Sequence, residues 1–197
     1  MRELLLLDAM AMALLNHDVV TVDDADLTAP TPCDGWVVAD LIDHMNQRHS
    51  AFLAPKFMSQ NDERRAEFAR IAAHWVVAAE HFGDTVDLPG RGSIPAERLL
   101  SIHIVDMLVH RWDLRRALGL PCPTPSRLTA AALPMAISAT ADGTGFDGAY
   151  QARVQYDSDN PMDAIVALLG RNPGWGSAGA IMADESESAE SPATPGS

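Results

Sequence analysis

Only two cysteines, Cys33 and Cys122, occur in the 197 residues, far apart and without C-x-x-C spacing. That excludes a disulfide scaffold and a cysteine-rich zinc module. It also points to the reducing cytoplasm, with one disulfide between the two left open. Basic residues are scarce as well: 14 Lys and Arg stand against 27 Asp and Glu, for a formal net charge of −13 at pH 7. The four acids after Ala178 (Asp184, Glu185, Glu187, Glu190) account for only part of this. So acidic a chain is not expected to bind nucleic acid or an anionic membrane, because phosphate recognition needs clustered Lys and Arg. No apolar run is long enough to span a bilayer, and the N-terminal apolar stretch is broken by Asp8, His17 and Asp18. Arg2-Glu3 is no basic opening of a signal peptide, and no small-residue cleavage site follows. There is no phosphate loop, no G-x-S-x-G elbow and no dinucleotide fingerprint. Gly143-Thr144-Gly145 is too short, and it does not sit between a strand and a helix.

What remains is a mainly helical pattern in one domain, residues 1–175, with no internal repeat. Helical spacing of apolar residues predicts helices over residues 2–17, 38–54 and 62–82. Pro55 ends or kinks the second and Gly83 stops the third. Thr31–Trp36 is a turn shaped by Asp34 or Gly35. Thr85–Gly92 reads as a loop or a short extended piece. A fourth helix opens at Pro95 and closes at Gly119, with Pro121 and Pro123 blocking its continuation. Ser126–Thr140 forms another helix, with Pro134 as a kink. Ala141–Gly148 is a loop, Ala152–Tyr156 alternates like a short strand, and Pro161–Leu169 is a last helix. Residues 178–197 hold Ser, Ala, Glu and Pro with nothing to bury, which predicts a disordered acidic tail.

The chemistry concentrates in Leu99–Leu114, LLSIHIVDMLVHRWDL. Steps of three and four residues put His103, Asp106, His110 and Asp113 on one helix stripe. Leu99 and Ala117 extend that stripe, so it faces the core, where four ionisable groups are costly unless paired. A metal ion would pair them. Asp106 and His110 form an i, i+4 carboxylate–imidazole pair, a spacing that lets one helix give two ligands. His44, beside Leu41, Ile42 and Met45, is the best third ligand from another helix; its other reading is a hydrogen-bonded core histidine. His103 and Asp113 then read as groups that orient the ligands. Asp113 equally reads as a partner of Arg116. His74 and His81 read as a solvated helix edge, His17 and His49 as surface residues, Cys33 as a structural thiol, and Trp36 and Trp112 as packing anchors.

Two segments carry a family resemblance. TPCDGWVVADLIDHM at 31–45 and VDMLVHRWDLRRALG at 105–119 resemble the TPCxGWxVxDLxxH and DxLVHxWDLxxAxG segments of the mycothiol-dependent maleylpyruvate isomerase N-terminal domain family, a branch of the DinB-like bundles. LLGRNPGW at 168–175 is similar to the C-terminal signature of an actinobacterial subgroup. The resemblance covers nearly all of residues 1–175. It implies an up-down-down-up four-helix bundle with a small C-terminal extension and a divalent metal near one end. The implied ligand set is His44, Asp106 and His110. In much of the superfamily all three ligands are His, and in the isomerase the middle one is Glu. Asp106 has a shorter arm, which shifts the donor oxygen by about one bond length and with it the metal preference. The isomerase also has a separate C-terminal domain carrying a catalytic arginine, which residues 120–197 do not resemble.

Three protein ligands would leave an open metal position, the catalytic pattern. The expected function is a metal-dependent thiol transferase or isomerase. In it, the metal activates a low-molecular-weight thiol, mycothiol by resemblance, for attack on a small electrophile. His103 would orient a ligand or transfer a proton. A metal-assisted hydrolase is the enzyme alternative, and a non-catalytic metal- or ligand-binding bundle is the other. Two imidazoles and a carboxylate suit Zn, Ni, Fe, Co or Mn. Apolar outer helix faces leave a homodimer open.

Overall fold

The computed structural model describes residues 1–50, 64–88, 92–141 and 150–176. The expectations for Pro55, the Gly143 segment and the acidic tail lie outside these. Four helices form the body: α1 (Arg2–Val20), α2 (Val38–Ser50), α3 (Arg64–Ala79) and α4 (Ala96–Ala117). A two-stranded antiparallel hairpin, β1 (Thr85–Leu88) and β2 (Gly92–Pro95), stands where the sequence reads as a loop or short extended piece; it pairs Val86 with Ile94. Among the described residues two helices follow, α5 (Ser126–Ala139) and α6 (Pro161–Leu168).

Cross-helix contacts fix the direction of each helix. The Met1 amino group meets Glu97, Asp8 meets His103, and Asp18 meets Arg111 and Arg115, so α1 and α4 run the same way. Asp8 also meets Trp75, while the Val22 carbonyl meets Arg65, so α3 runs against α1. His44 faces His110 and His49 faces His103, so α2 runs against α4. The result is the up-down-down-up order, in a ring where α1 and α2 each pack on both α3 and α4.

Helix α4 is the axis of the molecule. Besides α1 and α2 it touches α5, α6 and the hairpin. Hence its polar stripe is buried along with its apolar residues: His103, His110 and Asp113 are inside, together with Ile104, Met107, Leu108 and Trp112. The helix closes as its glycine predicts. Gly119 takes φ +65°, its N–H donates to the Arg116 carbonyl, and the Leu120 N–H donates to that of Arg115. At the Thr31–Trp36 turn Gly35 takes φ +76°, and the Trp36 carbonyl accepts from the Thr31 N–H at 2.9 Å.

Three boundaries differ from the sequence reading. Helix α1 runs one turn past residue 17, because Val19 is a core residue with no solvent exposure. Helix α3 ends at Ala79 rather than 82. Residues 152–156 do not form a strand: among the described residues their backbone anchor is a single bond, Val154 N–H to the Ala167 carbonyl at 2.9 Å. Alternation alone gave no ladder partner. Helix α6 is capped by Asn160, whose side chain accepts from the Met162 N–H, with Pro161 in the first turn.

Gly170 joins this extension to the bundle. It takes φ +81°, and a Cβ there would stand 2.7 Å from both Cβ and the carbonyl oxygen of Gln151. Only a residue without a side chain lets the 150–151 backbone cross here. A Gly170→Ala variant is therefore expected to lose about 1–3 kcal/mol, measured as a lower midpoint in urea, with Tyr150 and Gln151 displaced.

Candidate functional site

Between α2, α4, the turn before α2 and the C-terminal extension lies a cavity of about 400 Å³. Helix α2 contributes His44 and Arg48, α4 contributes Asp106 and His110, the turn before α2 contributes Cys33 and Trp36, and the extension contributes Tyr150 and Arg171. The structure thus brings His44, Asp106 and His110 into one cavity. The His44 and His110 rings lie 5.5 Å apart, edge to face, and His110 Nε2 lies 3.4 Å from Asp106 Oδ1. Asp106 is 26% exposed, toward the cavity, whereas His110 is buried.

Below them lies Asp113, with no solvent exposure. Arg171 grips it with both ends of its fork: Nε donates to Oδ1 at 3.2 Å and Nη2 to Oδ2 at 3.0 Å. The Cys33 thiol donates to Oδ2 at 3.5 Å, and His110 Nδ1 lies 3.5 Å from the same oxygen. That nitrogen has no partner with hydrogen-bond geometry among the described residues. The partner of Asp113 is thus Arg171, from far along the chain, and not Arg116. Arg116 instead lies over the Trp112 ring and donates to the Pro173 carbonyl.

The charges shape the proton affinities. Burial pulls His44 down to about 4, helped by the charge of His110 and opposed by Asp106, so His44 is a neutral imidazole. Among the described residues neither of its ring nitrogens has a hydrogen bond; its ring packs 4.8 Å from Trp36. Burial also works against a charge on His110, but Asp106 and Asp113 outweigh it and leave its pKa raised. Burial pushes Asp106 up, but His110 and the Tyr150 hydroxyl, which donates to it, hold its carboxyl below the usual range. Burial likewise opposes the charge on Asp113, and His110 and Arg171 overcome it. The Cys33 thiol is pushed to about 12 by burial and then by Asp113, so it stays protonated. This agrees with its reading as a structural thiol.

The donor set suits a divalent ion in kind: one neutral imidazole with no hydrogen bond among the described residues, one carboxylate, and one imidazole with a buried carboxylate 3.5 Å behind it, as ligating histidines usually have. Among the described residues, though, no three such side chains stand in a formed coordination geometry. His103 lies elsewhere. Its Nδ1 is 2.5 Å from Asp8 Oδ1 and its Nε2 2.8 Å from His49 Nε2, inside the core and away from the cavity. His49, expected at the surface, is buried against Trp75 and Phe68. It lies four residues past Met45 and three past Asn46, both buried, so it continues the inward face of α2. Sequence reasoning missed Tyr150 and Arg171; the one signal for Arg171 was the LLGRNPGW segment.

The family model of the mycothiol maleylpyruvate isomerase N-terminal domain matches residues 10–57, well under half of the chain. The matched segment contains His44 but neither Asp106 nor His110. Two similar proteins are the uncharacterized protein MT0763 of Mycobacterium tuberculosis (strain CDC 1551 / Oshkosh) and the uncharacterized protein Rv0738 of Mycobacterium tuberculosis (strain ATCC 25618 / H37Rv). Each is 32% identical over 120 residues, covering 57% of this chain and 63% of the relative. This chain thus spans just under two thirds of the length of these relatives. No solved structure matches it. Among the described residues no helix is long and apolar enough to cross a membrane.

Two outcomes follow from the burial. In an Arg171→Met variant Asp113 would keep its charge in the core without its guanidinium, which is expected to cost about 3–5 kcal/mol in chemical denaturation. The second concerns His49, which burial and the neighbouring His103 lower to about 4. A depressed histidine favours folding fully above its ordinary value of 6.5, and that contribution fades as pH falls toward 4. Melting temperature should drop across this window, with a smaller slope in a His49→Gln variant.

Proposed function

We propose that this chain is a divalent-metal-dependent enzyme of the thiol transferase or isomerase type, acting on a low-molecular-weight thiol and a small electrophile. Mycothiol is the thiol favoured by the match at residues 10–57. The observation that carries this reading is the meeting of His44, Asp106 and His110 in one cavity, with Asp113 behind His110. These three would hold the ion. A divalent metal there lowers the pKa of a bound thiol and keeps it nucleophilic at neutral pH. The chain's own residues do the rest. Asp113, clamped by Arg171, orients His110, and the Tyr150 hydroxyl holds one Asp106 oxygen. Trp36 and Ile102 give the cavity apolar wall for a small electrophile. Exposed Arg48 offers a cation at the rim for a polar group on it. Cys33 stays a thiol, so the nucleophile comes from the added small thiol and not from the chain.

One observation favours a second reading, a bundle whose stripe serves stability alone. Asp106 accepts from the Tyr150 hydroxyl and lies 3.4 Å from His110 Nε2, so its charge is matched by groups of the protein itself. Elemental analysis separates the two. About one divalent ion per chain, lost in both His44→Ala and His110→Ala, is the expected result, followed by turnover that requires added thiol. A chain that stays metal-free after reconstitution with Zn, Ni and Mn would overturn the enzyme reading. Metal bound with turnover but no thiol requirement would point to the hydrolase.

A further inference from the structure

Helices α2 and α4 are joined by two histidine rungs. The upper one, His44 and His110, lies at the cavity, with ring centres 5.5 Å apart. The lower one, His49 and His103, is closed, with Nε2 to Nε2 at 2.8 Å. Following the protons along the lower rung fixes the state of each ring. His49 Nδ1 lies 2.6 Å from the Met45 carbonyl. A carbonyl only accepts, so that nitrogen carries a hydrogen. Burial lowers His49 to about 4, so it is neutral and its Nε2 is a bare acceptor. The hydrogen between the two Nε2 atoms therefore belongs to His103. On the other side of that ring, Nδ1 lies 2.5 Å from Asp8 Oδ1. With Nε2 already protonated, one more proton must sit between Nδ1 and the carboxyl.

Two features put that proton on the ring. The second oxygen of Asp8 accepts from Trp75 Nε1–H at 2.8 Å, a bond that stabilises the carboxylate. The Trp75 ring also stacks on His103, with centroids 4.0 Å apart and planes 25° from parallel, which suits a cation on an indole face. Free imidazole is in any case the stronger base, at about 6.5 against about 3.9 for an aspartate.

We infer that His103 is a buried imidazolium, paired with Asp8 and donating to neutral His49, and that this closed lower rung is the device that registers α2 against α4. Every element around it contributes: Asp8 from α1, His49 and the Met45 carbonyl from α2, Trp75 from α3, and His103 itself from α4. The nearest further charge on α4 is Asp106, one turn on. His103 is thus a positioning residue. Both of its nitrogens are committed within the core, and neither is left to exchange a proton with the cavity. Since α2 and α4 are rigid over one to two turns, closing His49 on His103 sets how far apart His44 and His110 stand. The inference does not depend on whether the upper rung holds a metal.

Long-range 1H–15N correlation spectra of the histidine rings of the native full chain at pH 7 test it. The expected result is a bonded proton on both His103 nitrogens and a hydrogen on Nδ1 alone for His49. A His103 ring protonated only at Nε2 would place the last proton on Asp8 and overturn the inference. So would a His49 ring protonated at Nε2. In Asp8→Asn, His103 should become singly protonated at pH 7; a ring still doubly protonated there would show that Asp8 does not hold the charge. The native spectrum decides the matter even if this variant does not fold.

Discussion

A carboxylate with no contact with water is tolerable only if its surroundings supply donors and countercharge, and Asp113 draws these from distant parts of the chain. Arg171 comes from the extension after α6, Cys33 from the turn before α2, and His110 from one turn earlier on α4. Removing any of them leaves a donor or an acceptor stranded in the core. The Asp113 charge therefore ties the extension to the bundle, and in doing so it builds one wall of the cavity. Arg171 and Tyr150 reach the cavity because Gly170 lets the 150–151 backbone cross close above it.

A second buried carboxylate, Asp8, works the same way in the middle of the bundle, and a third, Asp18, does so near the end of α1. Asp18 accepts from Arg111 at 2.7 Å and Arg115 at 2.6 Å. The three acids act at two levels of α4, near His103 and over residues 111–115, and each fixes it against other parts of the chain. Apolar packing alone tolerates sliding and rotation of helices, because one Leu fills much the same space as another. Directional charged pairs do not. This gives a physical reason for so much ionisable chemistry inside a core that Trp75, Trp112 and Phe68 already fill.

Helix existence and order were legible because the apolar spacing is strong, and the α4 stripe was legible because four ionisable residues fall on one face. His44 was legible from its place on an apolar helix face next to Leu41 and Ile42. What was not legible depends on contacts distant in sequence. Asp113 read either as a group that orients the ligands or as a partner of Arg116, three residues on; its guanidinium partner is 58 residues away. His49 looked exposed, with polar Arg48 and Ser50 on either side, yet the inward face of α2 includes it. The Ala152–Tyr156 alternation looked like a strand, because period two shows a possible face but not whether a neighbour exists to pair with. The residues that complete the cavity, Tyr150 and Arg171, sit in segments whose local pattern says nothing about where they dock.

The charge balance at the cavity links fold to chemistry. Two carboxylates, Asp106 and Asp113, flank the His110 imidazole, with the Arg171 guanidinium bonded to Asp113, while Asp34 and Arg48 add one charge of each sign to the cavity lining. Asp106 and Asp113 together outweigh burial and raise the pKa of His110, so the imidazole between them binds a proton more tightly than a free one. The same negative charge that strengthens proton binding at His110 favours any cation able to use its nitrogen. On the proposed reading, a divalent ion and that proton compete for one site, which makes ion binding favourable where protons are scarce. His44 adds a neutral donor without adding charge, because burial keeps it unprotonated. The buried Asp113 that anchors the extension thus also sets the charge around His110.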